Sequence, residues 1–332
     1  MESNPYIKQF PELLRNKKLL YVHGFASSGQ SGTVRRLREV LPSATIVAPD
    51  LPVHPEEAIA LLRQLCADEQ PDIILGTSMG GMYTEQLRGY DRICTNPALC
   101  IADTMQAHGM TGTQQFQNPR LDGQQTFYVD KTLVKEYRQV SERRFEGLDD
   151  DDRRRVYGLF GDRDDLVDTF SLFHSHYPQA IRFHGEHRMD DRSFMHSVLP
   201  VIRWIDDRQE RRERPIVYIG TETLADAYSH PTSSSQKAVR WLIEHYQVFF
   251  VAPATSSDAD AYATTTAWLE EYVNVPAWGH TVFTNQRQLL YGDYLVERSA
   301  TPDAMATTIP FGSDTFKSWD DIIDYFSRLG GQ

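Results

Sequence analysis

Only three cysteines, Cys66, Cys94 and Cys100, are spread over the 332 residues. An odd count without C-x-x-C spacing excludes a disulfide framework and a cysteine metal site, and it fits a reducing compartment. Long apolar runs are also missing. No stretch approaches the ~20 residues of a membrane helix, and "MESNPYIKQFPELLRNKKLLYVHGF" lacks the architecture of a signal peptide. The expectation is a cytoplasmic protein. Basic residues are scarce relative to acidic ones, 34 Lys and Arg against 46 Asp and Glu, a formal net charge of -12. That balance argues against nucleic acid or an anionic membrane as the main partner, since both recruit basic surfaces. A small molecule is the easier substrate. The hydrophobic share of 40% with 24% charged residues is that of a globular chain, long enough for two domains of roughly 150 residues each.

From residue 18 short β-type runs alternate with helical segments: "KLLYVHGF" then "GTVRRLREVL", "ATIVAPDL" then "PEEAIALLRQLCADE", "DIILGTS" then "MGGMYTEQL". Parallel strands need helical crossovers and are buried on both faces, so this rhythm predicts an α/β fold with a parallel sheet. "RRRVYGLFG" and "AIRFHGE" extend the sheet and "MHSVLPVIRWIDD" closes the domain, taken as residues 1–205. Between about 100 and 150 a polar, Gln-rich, partly helical insertion interrupts the pattern and reads as a cap. Its end, "LDDDDRRR", reads as a solvated loop. The charged stretch 206–214 reads as a linker. Beyond it the rhythm restarts with "IVYIG", "SSSQKAVRWLIEHY", "QVFFVAPA", "DADAYATTTAWLEEY", "YLVERS" and "WDDIIDYF", a second Rossmann-like α/β domain over 215–332.

Gly76-Thr77-Ser78-Met79-Gly80 matches G-x-S-x-G directly after a strand-like run and before a helix-like one, the context of a nucleophile elbow. Gly76 and Gly80 let the chain turn sharply so that Ser78 stands clear of the sheet. A serine hydroxyl needs a base, and the base needs a third group to fix its tautomer. "LFGDRDDLV" offers Asp162, Asp164 and Asp165, with Asp164 preferred from the Gly161-x-x-Asp164-x-x-Val167 spacing. "FHGEHRM" offers His184 and His187, with His187 preferred and His184 left open; His196 reads as packing. The oxyanion donors are assigned to the amides of Met79, just after the nucleophile, and Phe25, in the loop after the first strand. His23 and Gly24, taken as substrate-binding, let that loop turn back toward Ser78, a merely structural role for His23 being at least as readily read as direct catalysis. "PDLP", residues 49–52, reads as a strand-ending turn.

The blocks "YVHGFASSGQSGTVRRLREVLPSATIVAPDLPVHPEEAIALL", "ILGTSMGGMY" and "TNPAL" together resemble the YqiA-like esterases, a bacterial branch of the α/β-hydrolases, over residues 17–205. The resemblance implies hydrolysis of acyl esters or thioesters without metal or cofactor. Carried over by motif, Ser78 is the nucleophile, Asp164 the acid and His187 the base. The "HGEHRM" segment departs from a simpler Gly-x-His, which keeps His184 in play.

Residues 215–330 resemble the haloacid-dehalogenase-like superfamily near its 5'-nucleotidase branch, with "YIGTETLAD" in place of D-x-D-G-x-x-A-D, then "FFVAPATSS" and "VFTNQRQLLYGDYLVERS". Such phosphoryl transfer would need a nucleophilic Asp, a second Asp as acid and a late acidic pair holding Mg²⁺. The corresponding residues here are Gly220, Glu222 and Glu297-Arg298, with Ala252 at the hydroxyl position, while Asp226 and Asp293 remain. A catalytically inactive domain is expected, able to bind a ligand, regulate the esterase or mediate homo-oligomerisation. Two competing functions stay open: a sensor or assembly module whose second domain binds a nucleotide-like ligand, and a residual Mg²⁺-dependent phosphatase.

Overall fold

A computed structural model of the chain describes residues 8–225, 230–258 and 260–329. The chain divides into two compact units, one of residues 1–180 and 185–192, the other of 181–184 and 193–332.

The first unit is built on a parallel sheet. Its strands are β1 (Lys18–Val22), β2 (Thr45–Val47), β3 (Ile73–Thr77), β4 (Asp91–Thr95) and β7 (Val156–Gly161), in the order β2-β1-β3-β4-β7, while β8 (Ala180–Phe183) has its residues 181–183 in the second unit. β1 pairs with β3 through Leu19–Ile73 to Val22–Gly76, and β3 with β4 through Ile73–Asp91 to Thr77–Thr95. Continuous buried runs such as Leu19–Val22 and Ile73–Gly76 are what a sheet covered on both faces demands. The crossovers are α1 (Gly32–Val40), α2 (Pro55–Glu69), α3 (Met79–Glu85) and α7 (Phe170–His174). In α2, Pro55 sits at the start, Glu56 and Glu57 occupy the positive first turn, and Gln70 closes the helix in a left-handed conformation. Its buried Ala58, Ile59, Leu62 and Cys66 lie in the main core with Leu20, Val22, Ile74, Met82 and Tyr83.

The insertion is more mixed than its composition predicts. It holds α4 (Ile101–Ala107), an antiparallel hairpin of β5 (Gly112–Gln115) and β6 (Thr126–Val129), then α5 (Lys131–Ser141) and α6 (Asp150–Arg154). The hairpin is hard to see among glutamines because only alternate side chains, Phe127 and Val129, turn inward. The run "LDDDDRRR" is not a solvated loop. Asp149 caps α6 by accepting from the Asp152 N–H at 2.7 Å, while buried Asp152 pairs with Arg92 at 2.5 Å and Arg88 at 3.3 Å. An acidic first turn and basic last turn suit the helix dipole.

The second unit includes α8 (Asp191–Ser193) in part, one π-helical turn (Phe194–Val198) and α9 (Leu199–Glu210). The charged stretch expected as a linker at 206–214 is therefore helical to Glu210. Arg208 and Glu210 continue the exposed side of a helix whose Val201, Ile202, Ile205 and Asp206 are buried, and no proline or glycine breaks the chain between Val201 and Pro215. A fully parallel sheet follows, β11-β10-β9-β12-β13, from β9 (Ile216–Gly220), β10 (Gln247–Ala252), β11 (Thr281–Phe283), β12 (Tyr294–Glu297) and β13 (Thr307–Pro310). The helices α10 (Ser233–His245), α11 (Ala261–Trp268) and α12 (Trp319–Arg328) accompany it. A reciprocal Ser318–Asp321 capping box starts α12, and Trp319, Ile322 and Phe326 enter the core with Val239, Leu242 and Phe250.

Candidate active site

The turn from β3 into α3 carries Ser78 at φ 55° and ψ -121°, a conformation costly for a residue with a side chain. Backbone hydrogen bonds hold it there. Ser78 N–H donates to Thr95 O at 2.9 Å, and Ser78 O accepts from Gly81, Met82 and Ala98 at 2.9, 3.2 and 3.0 Å. The flanking glycines are required by space. A Cβ on Gly76 would lie 2.4 Å from Gly80 O, and one on Gly80 would lie 2.0 Å from Val22 O. The elbow is thus pressed against the end of β1, and Gly24 approaches it so closely that a Cβ there would sit 3.3 Å from Ser78 Cβ and 3.8 Å from its Oγ.

Asp164 and His187 come to the same point. His187 Nε2 is 3.0 Å from Ser78 Oγ, and His187 Nδ1 is 2.7 Å from Asp164 Oδ2. A carboxylate only accepts, so the imidazole proton lies on Nδ1 and the Nε2 lone pair points to the serine hydroxyl. The other carboxylate oxygen of Asp164 accepts from the Leu166 and Val167 amides, both at 2.9 Å, which fixes its rotamer. Asp162 is turned away to accept from the Gly185 amide at 2.9 Å. His184 falls in the other compact unit, and His196 bonds there to Asn274 at 2.8 Å.

The loop after β1 forms a tight turn. Ser27 N–H reaches Gly24 O at 3.2 Å, with Ala26 at φ 55° in the left-handed region. Phe25 occupies the turn's second position, where the amide takes no part in the turn's own bond. Met79 opens α3, where the first amides have no intrahelical acceptor. The Phe25 ring packs edge-on against Phe127 at 5.3 Å and Tyr137 at 6.5 Å, so the insertion abuts this loop. Gln117 N–H to Ala26 O at 2.8 Å adds a backbone tie.

His23 does not face a substrate space. It is 2% exposed, its Nδ1–H donates to Gly24 O at 2.8 Å, and its Nε2 accepts from the Leu51 N–H at 3.1 Å. Burial pushes its pKa down to about 4 against the opposing pull of the Gly24 carbonyl. Both nitrogens are used up in joining the β1 loop to the 49–52 turn, so its role is structural. That turn also matters more than its sequence suggests. Asp50 accepts from the Gly29 amide at 2.8 Å and from the Leu121 amide of the insertion at 2.7 Å. Sequence reasoning missed Asn96, inside "TNPAL", whose buried carboxamide bonds three backbone groups around His187 and Asp164; an Asn at a strand end before Pro97 was the available signal.

In the second unit the strand ends gather Gly220, Glu222 and Glu297. The Arg287 guanidinium grips Glu222 at 2.8 and 2.9 Å and reaches Glu297 at 3.2 Å. Glu297, fully buried, also accepts from Thr301 N at 2.6 Å and Thr301 Oγ1 at 2.7 Å. Burial alone would raise the Glu222 pKa, yet the bidentate Arg287 outweighs it and holds the carboxyl below its ordinary range. Arg298, expected to stand where a metal would, instead donates from Nε to Glu222 O at 2.8 Å and lies 5.4 Å over the Phe311 ring. Asp293 accepts from the Ile216 amide at 2.8 Å, a strand-end role, while Asp226 lies outside the described residues. These residues do not fit a Mg²⁺ site, because the Arg287 guanidinium already lies between the two carboxylates that would have to hold the ion. Among the described residues no group of three or more His, Cys, Asp or Glu is placed to hold a metal.

Residues 18–202 match the family described as an uncharacterised protein family, UPF0227, and the chain belongs to that family. This is the family that the likeness to the YqiA-like esterases anticipated. Among solved structures the chain is similar to Est1E from Butyrivibrio proteoclasticus, at 14% identity and a TM-score of 0.38, covering 61% of this chain and 91% of that one. It is also similar to the esterase domain of a Rhodothermus marinus protein, at 16% identity and a TM-score of 0.37, covering 54% and 80%. Among curated proteins it is 22% identical over 104 residues to a protein of Vibrio phage KVP40 assigned as a 5'(3')-deoxyribonucleotidase, a match of 30% of this chain and 61% of that relative's length. The chain thus spans about three fifths of the phage relative. No described helix is long and apolar enough to cross a membrane.

Proposed function

We propose that the protein is a serine hydrolase of carboxylic acyl esters or thioesters, with Ser78 as nucleophile, His187 as base and Asp164 as acid. The observation that carries the reading is the unbroken chain from Ser78 Oγ to His187 Nε2 at 3.0 Å and from His187 Nδ1 to Asp164 at 2.7 Å, on a serine held at positive φ. As Ser78 Oγ attacks the acyl carbon, its proton passes to Nε2, and Asp164 stabilises the resulting imidazolium. The negative oxygen of the tetrahedral intermediate takes hydrogen bonds from the Met79 and Phe25 amides. The imidazolium then protonates the departing alcohol or thiol, and water, deprotonated by the same Nε2, releases the acid. Nothing in this sequence of steps calls for a metal or a cofactor.

The second unit takes a non-catalytic part in this reading, as a ligand-binding, regulatory or oligomerising domain. Support comes from Gly220 at the position that would need a nucleophilic carboxylate and from Arg287 lodged between Glu222 and Glu297. A fluorophosphonate probe tests the hydrolase reading. One adduct mapped to Ser78 by mass spectrometry, absent from Ser78→Ala, and matched by loss of activity on a panel of acyl esters and thioesters is the expected result. A folded wild-type protein that neither labels nor hydrolyses any panel member would sink it.

A further inference from the structure

We infer that Asn96 is the positioning residue that sets the distance between the His187 loop and the elbow, an inference that rests on the serine hydrolase reading. Asn96 is 2% exposed and directly follows β4, next to the strand that delivers Ser78. Its carboxamide has two donors and one acceptor oxygen; both donors serve the loop that carries His187, and the oxygen serves the connection that carries Asp164. Nδ2 donates to Glu186 O and to His187 O, both at 3.0 Å, and Oδ1 accepts from the Gly161 amide at 2.8 Å. The carbonyls of Glu186 and His187 bracket the base itself. Gly161 starts the loop that carries Asp164 three residues later.

The backbone around Asn96 serves the elbow in the same way. Thr95 O accepts from Ser78 N–H, Ala98 N–H donates to Ser78 O at 3.0 Å, and Asn96 N–H donates to Leu159 O at 2.7 Å. One short segment therefore touches the nucleophile, the acid loop and the base loop. Geometry also limits what can stand at position 96. Its φ of 44° is left-handed, a conformation that Asn tolerates better than most residues. The acid and base loops pass so near each other that a Cβ on Gly161 would meet Gly185 O at 2.6 Å and Glu186 O at 3.0 Å, leaving no room for a side chain there to act as the spacer. The two loops also bond each other directly, through Arg163 N–H to Gly185 O at 3.0 Å and Gly185 N–H to Asp162 at 2.9 Å, so what the Asn96 side chain adds is the tie from both of them to the strand beside the elbow.

Two substitutions separate positioning from folding. Asn96→Gly removes the carboxamide while relieving the positive φ. Asn96→Asp keeps the volume and the acceptor toward Gly161 but offers its second oxygen to two carbonyls where two N–H donors stood. In the full-length protein, both variants are expected to keep the wild-type circular dichroism spectrum and to label at Ser78 with fluorophosphonate on the order of 100-fold more slowly, the scale on which a displacement of about an ångström acts. For an ester the panel finds, kcat should fall with KM little changed. The second readout is independent of turnover: the downfield proton resonance of His187 Nδ1–H bonded to Asp164, present in the wild type, should be lost or shifted in both variants. Labelling within about twofold of wild type together with an unmoved resonance would overturn the assignment, as would a wild-type protein without the resonance. Variants that both fail to fold would make Asn96 a folding residue and overturn it equally. If the wild type neither labels nor hydrolyses any panel member, the hydrolase reading falls, while loss of the resonance in the variants still supports Asn96 as the positioning residue.

Discussion

His23 carries a prediction that can be worked from the structure. Its imidazole is enclosed, its Nδ1–H is committed to Gly24 O and its Nε2 must stay unprotonated to accept from Leu51 N–H. Its pKa is pushed down to about 4, with burial as the main cause. The unfolded chain therefore binds a proton near pH 6.5 that the folded chain refuses until about pH 4, so the contribution is fully present above 6.5 and is lost as pH falls through that window. The whole difference corresponds to about 3 kcal/mol, and about 2 kcal/mol of it is lost between about pH 7.5 and 5. His23→Gln retains an acceptor for Leu51 N–H and cannot titrate. Equilibrium urea unfolding of the first unit, at both pH values, should show the wild type losing about 2 kcal/mol more than His23→Gln on acidification. Imidazole proton shifts followed by NMR give the titration directly. A His23 midpoint near 6.5, or identical acid sensitivity in the two proteins, would refute the reasoning.

Gly80→Ala should remove Ser78 labelling and destabilise the first unit by about 3 kcal/mol or more, because the added methyl would overlap Val22 O at 2.0 Å and His23 O at 2.6 Å; labelling kinetics and unfolding by circular dichroism check it, and a wild-type labelling rate would contradict the elbow packing. Arg287→Ala should lower the stability of the second unit by about 3 kcal/mol, since it strips the buried Glu297 of its counter-charge. The same variant should remain silent in a Mg²⁺-dependent phosphatase assay, because Gly220 offers no nucleophile.

Much of this protein follows from local pattern. The alternation of buried β-runs and helices suffices to predict two α/β units, since a strand with apolar side chains on both faces can only sit inside a covered parallel sheet. The elbow is legible as a local motif, though only Gly76 is forced by a clash within the turn, with Gly80 O, while Gly80 is forced by the end of β1. Asp164 and His187 could be ordered along the chain, but choosing between His187 and His184 depended on which loop folds back, and three residues of sequence separate candidates that fall in different compact units. The cap hairpin escaped notice because its apolar face is two residues wide on β6. Asp152 and the 206–210 helix escaped because charge in a sequence does not reveal a partner, and Arg92 lies 60 residues from Asp152.

By itself, then, the sequence determined the fold class, the G-x-S-x-G turn that carries Ser78 and the absence of a carboxylate at Gly220, since each is a property of a few adjacent residues. Only the tertiary structure decided that His23 is a buried strut, that Arg287 rather than Arg298 stands between Glu222 and Glu297, and that Asn96 ties three loops together. Those are facts about groups distant along the chain, where burial and hydrogen-bond geometry, not residue type, assign the role.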